Sequence, residues 1–169
     1  LVRRIPLSRS AISVAVDPRN DAPTANPLTV TVTEDGQVAI TLSGSDVETA
    51  EANLTFTITG LPQRGTLKDS ATGNVLSVRP EDGSIEHGTF TGPPRLIYES
   101  GTACDGEGGD SFTFTVTDRG DPDTPEAVGL TSGLTTVSVN VVPAVAEGAV
   151  IDLGDILLTP RTVEPGTIG

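Results

Sequence analysis

Short runs in which apolar and polar residues alternate recur along most of the 169-residue chain. The clearest run is DSFTFTVTD (Asp110–Asp118), in which Phe112, Phe114 and Val116 alternate with threonines. Alternation with a period of two places successive side chains on opposite faces of a β-strand, so the run predicts a half-buried strand. No stretch shows the 3.6-residue period of an amphipathic helix. The pattern therefore predicts an all-β protein.

Turn-forming residues separate further runs of the same kind. The predicted strands are Leu28–Thr33, Gln37–Leu42, Leu54–Ile58, Thr66–Lys68, Val75–Val78, Arg95–Tyr98 and Thr135–Val141. Glu34-Asp35-Gly36 is a strong turn signal between the first two, and a loop containing His87 precedes Arg95. About seven short antiparallel strands of this kind are typical of a β-sandwich. The threonine rows along them fit exposed faces of high β-propensity.

An internal repeat organises the chain. ISVAVDP (residues 12–18) matches VSVNVVP (residues 137–143), and EGAV (147–150) aligns with DGQV (35–38). The predicted division is a basic segment with a strand that resembles the last strand of a preceding repeat (1–16), an acidic linker bounded by prolines (17–23), a complete sandwich repeat (24–143), and the start of a following repeat or a C-terminal extension (144–169). This arrangement is typical of a module in an array.

Composition narrows the set of partners. The formal net charge is −13, which repels nucleic acid and anionic membranes and suits divalent cations. No run of about 18 apolar residues is present, so we expect no membrane insertion. A single cysteine excludes an internal disulfide. An extracellular protein without disulfides can gain rigidity from bound metal instead.

The residues favour a non-enzymatic role. His87 and Cys104 are the only residues of their kinds and lie in separate predicted loops, without a third group to orient a nucleophile pair. Carboxylate pairs are common in so acidic a chain, yet four Phe, one Tyr and no Trp leave few aromatic platforms for a sugar. We therefore predict that the chain is not an enzyme.

Oxygen-rich side chains concentrate where Ca²⁺ could be bound. They are Asp17, Asn20 and Asp21 on the linker, Asp46, Glu48 and Asn53 on the loop after the second strand, and Asp118 at the end of DSFTFTVTD. Ca²⁺ takes six to eight oxygen ligands from flexible loops, and loops of an antiparallel sandwich can meet at one pole. The alternative is that Asp and Asn serve turn geometry alone.

Three of these segments carry a resemblance to a known family. NDAP, SDVETAEANLTFTI and FTFTVTDRGDP resemble cadherin domains, and still more the cadherin-like or bacterial immunoglobulin-like tandem repeats of large surface adhesins. The likeness spans about Val16 to Val141 and implies an immunoglobulin/cadherin-like sandwich with calcium between successive domains. The implied ligands are Asn20, Asp21, Asp46, Glu48, Asn53 and Asp118. Glu34 matches a glutamate of the opposite joint, but VVPAVAEG lacks the linker motif there.

Two functions follow from these observations as hypotheses. The first is an extracellular or cell-surface spacer of an adhesin or stalk, with calcium-stiffened joints and neighbouring repeats as partners. The second is a subunit of an extracellular filament, in which Ala11–Val16 completes the sheet of a like subunit by strand addition. Neither hypothesis identifies the target of adhesion.

Overall fold

The computed structural model describes residues 19–101, 108–120 and 128–144. In these ranges the regular structure consists of strands and one short 3₁₀ turn, Glu51–Asn53. The strands are β1 (Thr24–Ala25), β2 (Leu28–Thr33), β3 (Gln37–Thr41), β4 (Gly44–Ser45), β5 (Thr55–Gly60), β6 (Gly65–Asp69), β7 (Ser77–Val78), β8 (Ile85–Glu86), β9 (Thr89–Thr91), β10 (Arg95–Ser100), β11 (Gly108–Thr117) and β12 (Thr135–Val142). No helix in the described ranges is long and apolar enough to cross a membrane.

The larger sheet has five strands in the order β2-β12-β11-β5-β9. Its pairs are antiparallel except β2 and β12, which run parallel with Val137 opposite Leu28 and Val141 opposite Val32. The first and last strands of the larger sheet in chain order thus lie side by side at one edge.

The smaller sheet has three strands in the order β3-β10-β6 and packs face to face with the larger one. Two short antiparallel pairs, β1-β4 and β7-β8, extend the structure. The predicted all-β sandwich is confirmed. Its principal strands lie where the alternating runs predicted them, with ends that differ by one or two residues.

The core is built from the inward-facing residues of both sheets. Phe56, Phe112, Phe114, Leu96 and Tyr98 are at most 1% exposed. The rings of Phe56 and Phe114 stack with centroids 6.3 Å apart. The alternating threonines of β2, β5 and β11 lie on the opposite, exposed or half-exposed side. Burial of the apolar set therefore fixes which face of each strand points inward.

The segment before β10 differs from the sequence prediction. Val75–Val78 was predicted as a strand and contains β7, but the loop predicted between it and Arg95 contains β8, which pairs with β7, and the edge strand β9. These strands have two or three residues each, too few to show an alternating pattern. The polar loop after the second predicted strand likewise includes β4 and the 3₁₀ turn. The predicted strand 11–16 and nearly all of the segment 144–169 lie outside the described residues.

Candidate functional site

Three segments meet at the pole of the sandwich where the described chain begins. They are the linker around Asn20, the loop from Asp46 to Asn53, and the turn that follows β11 at Asp118. We call this region the joint pole. The three segments converge because β4 and β11 both end at this pole while the linker enters there and pairs with β4 through β1.

Asp118 joins the linker to the end of β11. The Asn20 amide donates to its Oδ2 over 3.2 Å. Its Oδ1 accepts the backbone N–H groups of Gly120 at 2.6 Å and Leu130 at 2.9 Å. Asp118 is 5% exposed, so its carboxylate is buried but satisfied by these donors. Asp118 therefore holds the turn and the linker together.

Asp46 organises the second loop. Its Oδ2 accepts the N–H of Glu48 at 3.1 Å and that of Thr49 at 2.6 Å. Glu48 in turn accepts the N–H of Asp21 at 3.4 Å, which connects this loop to the linker. An aspartate that accepts hydrogen bonds from the amides of the following residues is common in turns. Asp46 therefore has the turn-forming role that the alternative hypothesis gives to these residues.

Two oxygens at the joint pole are buried without a hydrogen-bond partner among the described residues. They are Oδ1 of Asn20 and Oδ1 of Asp46. A buried acceptor without a donor costs about 1–3 kcal/mol, so such atoms are rare in stable folds. A cation would satisfy them, because amide and carboxylate oxygens are ligands that Ca²⁺ prefers. The turn hydrogen bonds of the described residues do not reach these two atoms.

Acidic side chains outnumber basic ones at the pole, where Arg19 and Arg119 also lie. The acidic residues of its three segments are Asp21, Asp46, Glu48, Glu51 and Asp118. The ion pairs found among the described residues lie elsewhere, on β6-β10 and on the β7-β8 hairpin. No group of three Asp, Glu, His or Cys side chains in the described ranges converges tightly enough to form a complete metal centre. The described acidic side chains therefore do not form a metal centre by themselves.

Not all of the predicted ligands take part in these contacts. Asn53 is exposed at the end of the 3₁₀ turn, where its backbone N–H donates to Ala50 over 2.8 Å. Asp17 lies outside the described residues. Glu34 lies at the opposite pole, where its N–H donates to Val142 over 2.8 Å. The ligand set remains a prediction.

Two contributors to the joint pole were missed in the sequence. Glu51 accepts the N–H of Gly44 at 3.1 Å, and the buried hydroxyl of Thr49 accepts the N–H of Arg119 at 3.5 Å. Both residues lie within the polar loop SGSDVETAEAN, where nothing in the spacing distinguishes them from exposed turn residues. Thr49 gains its partner from the close approach of the end of β11, and Glu51 gains its partner from the fold of the loop itself.

A second buried carboxylate lies at the opposite pole and was also missed. Asp110 is 9% exposed and accepts five hydrogen bonds. Its donors are the N–H groups of Gln63 (2.9 Å), Arg64 (3.0 Å), Gly65 (3.0 Å) and Ser111 (2.8 Å) and the hydroxyl of Tyr98 (2.8 Å). These bonds occupy the lone pairs of both oxygens, so the role of Asp110 is to fix the β5-β6 loop.

Glycine at position 65 is required by the same arrangement. A side-chain carbon there would lie 2.5 Å from the carbonyl oxygen of Glu99 and against the Tyr98 ring. The loop can approach β10 this closely only because residue 65 has no side chain. The Asp110 carboxylate, the loop and Tyr98 therefore form one packed unit.

Asp110 also makes stability depend on pH. Burial raises the pKa of Asp110, but the hydrogen bonds from Gln63, Tyr98 and the neighbouring amides outweigh it and hold the pKa below its ordinary value. A carboxylate with a lowered folded pKa stabilises the fold above the unfolded pKa of about 3.9, and this contribution disappears as the pH falls through the folded pKa.

We therefore expect Asp110→Asn to lose less stability on acidification than the wild type. Urea unfolding at pH 7 and at pH 3 measures the difference, with Asp35→Asn, an exposed residue of the β2-β3 turn, as the matched control. A stability gap between wild type and Asp110→Asn that stays constant across this range would contradict the assignment.

The chain has been compared with protein families and solved structures. A family model described as bacterial Ig domain matches residues 20–128. No curated protein matches in the sequence comparison. Similar structures include an endo-fucoidan hydrolase of glycoside hydrolase family 107 (19% identity, 77% of this chain and 15% of that chain, TM-score 0.41). Others are a chain of a type I cohesin–dockerin complex from Clostridium thermocellum (10%, 72% and 100%, 0.40) and murine CRIg (17%, 74% and 100%, 0.37).

The chain thus spans about 15% of the length of that hydrolase. The family match extends from the linker through β11 to the residues just before β12, and so covers most of the sandwich and all the described joint-pole residues from Asn20 to Gly120. The match covers well over half of the sequence and agrees with the two-sheet architecture. The chain belongs to the bacterial Ig domain family.

Proposed function

We propose that the chain is a structural module of an extracellular surface protein, a spacer of an adhesin or stalk whose joint is stiffened by Ca²⁺ at the joint pole. Bacterial Ig-like domains commonly occur in surface proteins and are generally non-enzymatic. The observation that carries the calcium part is the pair of buried, unpartnered oxygens on Asn20 and Asp46. They lie in two different segments, the linker and the adjacent loop.

The described side chains fit part of a calcium shell. Asn20, Asp46 and Asp118 would hold the ion, with Asp21 and Glu48 beside them. The remaining ligands would come from backbone carbonyls, water and the preceding residues, including Asp17. The bound ion would supply positive charge among carboxylates and tie the linker to the sandwich, which limits bending at this point.

Thermal unfolding with and without calcium tests the proposal. A ligand that binds only the folded state stabilises it by about 2.7 kcal/mol when present at 100 times its Kd, so we expect a higher Tm in Ca²⁺ than in chelator. Mg²⁺ is the control, because it prefers a strict octahedral shell and gives up its waters reluctantly. Melting curves that coincide in Ca²⁺ and chelator would refute calcium binding and leave the structural role in place.

A matched pair of variants locates the ion. Asp46→Asn keeps an acceptor oxygen for the loop amides but removes the charge, so we expect most of the calcium-dependent Tm shift to disappear. Asp82→Asn makes the same change in the β7-β8 hairpin, where Asp82 accepts the N–H of Ser84 at 2.9 Å. This control should keep the full shift. Equal shifts in both variants would place the ion elsewhere.

A further inference from the structure

The edges of the two sheets differ in how well they are protected. An unpaired strand edge exposes N–H and C=O groups that can template another strand, and proteins usually shield such edges. β9 is only three residues long and is followed by Gly92, Pro93 and Pro94. β6 carries Lys68 and Asp69, and residues 74–76 cover it through bonds such as Leu76 N–H to Leu67 at 2.9 Å.

The edge formed by β2 is less shielded among the described residues, where Pro27 precedes the strand and Glu34 and Asp35 follow it. Its six residues, LTVTVT, contain no charge and no proline, and their one strand partner in the described ranges is β12. β3 forms an edge of the smaller sheet. This edge is covered at one end, because the Asn26 N–H donates to the Ser43 carbonyl and β1 pairs with β4. β2 is therefore the longest open edge described.

The free backbone groups of β2 can be assigned. The Glu34 N–H donates to Val142 of β12, so by alternation the peptide groups of residues 28, 30 and 32 also face β12. Those of Thr29 and Thr31 then face away from the sheet. On the inward side Leu28 is 37% exposed and Val30 only half-buried. An added strand would pair these amides and cover these apolar side chains.

The chain itself contains a segment with the required sequence. Residues 12–18, ISVAVDP, match residues 137–143, VSVNVVP, most of which form β12, the strand that pairs with β2. We propose that residues 11–16 of a second copy of this chain add to the outer edge of β2 in antiparallel orientation. This proposal is independent of the calcium joint.

Side-chain faces limit the possible registers to every second one, and charge favours one of these. With Ile12 opposite Val32 and Val16 opposite Leu28, the apolar residues of the added strand continue the inward face and Ser13 lies opposite Thr31 on the outer face. A one-residue slip would reverse the faces. This register also places Arg9 opposite Asp35, which is exposed in the β2-β3 turn. Parallel pairing would instead bring Asp17 towards Glu34 and Asp35.

Pairing within one chain is opposed by distance. Val16 would have to lie outside β2 while Asn20 stays bonded to Asp118 at the end of β11. Three strand spacings separate these places, about 14 Å in all. Four residues span at most about 14 Å when fully extended, which leaves nothing for the change of direction. Since the Asn20–Asp118 bond joins side chains, this span strains pairing within one chain without forbidding it, and the donor that we propose is a second copy.

Cysteine trapping tests the register. Ser13→Cys and Thr31→Cys are made separately in a Cys104→Ser background, mixed, and oxidised mildly. We expect a disulfide-linked dimer that joins one copy of each variant. The matched control replaces Thr31→Cys by Thr115→Cys, on the same outer face but in the interior strand β11, where an added edge strand cannot reach. Equal cross-linking with both partners, or none with Thr31→Cys, would overturn the proposal.

Light scattering of single variants gives an independent readout. Thr31→Pro removes an outward N–H without breaking the ladder to β12, so it should convert the assembled protein to monomer. Thr31→Val keeps that N–H and should assemble as the wild type does. Circular dichroism of both variants is the test of whether they are folded. A monomeric wild type, or assembly that survives Thr31→Pro in a folded variant, would refute strand addition, as would an intramolecular disulfide in a Ser13→Cys/Thr31→Cys double variant.

Discussion

Replacing Asp110 by alanine is expected to destabilise the fold by about 3–4 kcal/mol. The change removes the acceptor of four backbone N–H groups and of the Tyr98 hydroxyl. The amides of Gln63, Arg64 and Gly65 belong to a loop packed against β10 and have no other acceptor in this arrangement within the described residues. Chemical denaturation with urea at pH 7 measures the loss as a lower unfolding midpoint.

The control for this prediction is Asp82→Ala. Asp82 also accepts hydrogen bonds from a following serine, but it lies exposed on the β7-β8 hairpin, where water replaces the lost bonds. We expect it to leave the midpoint almost unchanged. If Asp110→Ala were as mild as Asp82→Ala, the Asp110 network would not hold the β5-β6 loop.

Truncation of Phe114 is expected to have the second large effect, about 3–5 kcal/mol for Phe114→Ala. Phe114 is fully buried at the centre of the larger sheet and stacks on Phe56. Its neighbours are themselves fully buried and packed, so we expect them to fill the space only in part. The cavity therefore persists and adds its cost to the lost hydrophobic transfer.

Phe90→Ala provides the comparison for this measurement. Phe90 lies on the edge strand β9 and is only partly buried, so its removal leaves an opening to solvent and no closed cavity. Its cost should be clearly smaller in the same urea experiment. Equal losses at the two positions would mean that the core is not centred on the Phe56–Phe114 pair.

Much of the fold could be predicted from local pattern. Residues such as Phe112, Phe114 and Val116 alternate with threonine, and this alone specifies a strand and its buried face. β8 and β9 escaped prediction because strands of two or three residues are stabilised by their partners and carry no periodic signal. Their place depends on β5, which lies more than 25 residues earlier in the chain than β9.

The candidate site divides in the same way. From the sequence, Asn20, Asp46 and Asp118 were predicted as oxygen ligands of a cation, because these acidic and amide side chains follow predicted strands or lie in the linker. Nothing in the sequence indicated that the Oδ1 atoms of Asn20 and Asp46 would be buried without partners. That property arises from packing of the linker against two loops, and it is the observation on which the calcium proposal depends.

By itself the sequence determined the all-β class, the inward and outward faces of the main strands and the acidic character of the loops, because each depends on residue type and on a period of two. The tertiary structure alone decided the parallel partner of β2, the open edge beside it and the burial of Asp110. These features require residues distant in the chain to meet, and their energies come from contacts that no local pattern encodes. Asp110 and Asp118 show the difference. They stand at the two ends of one predicted strand, and their hydrogen-bond partners lie at opposite poles of the sandwich.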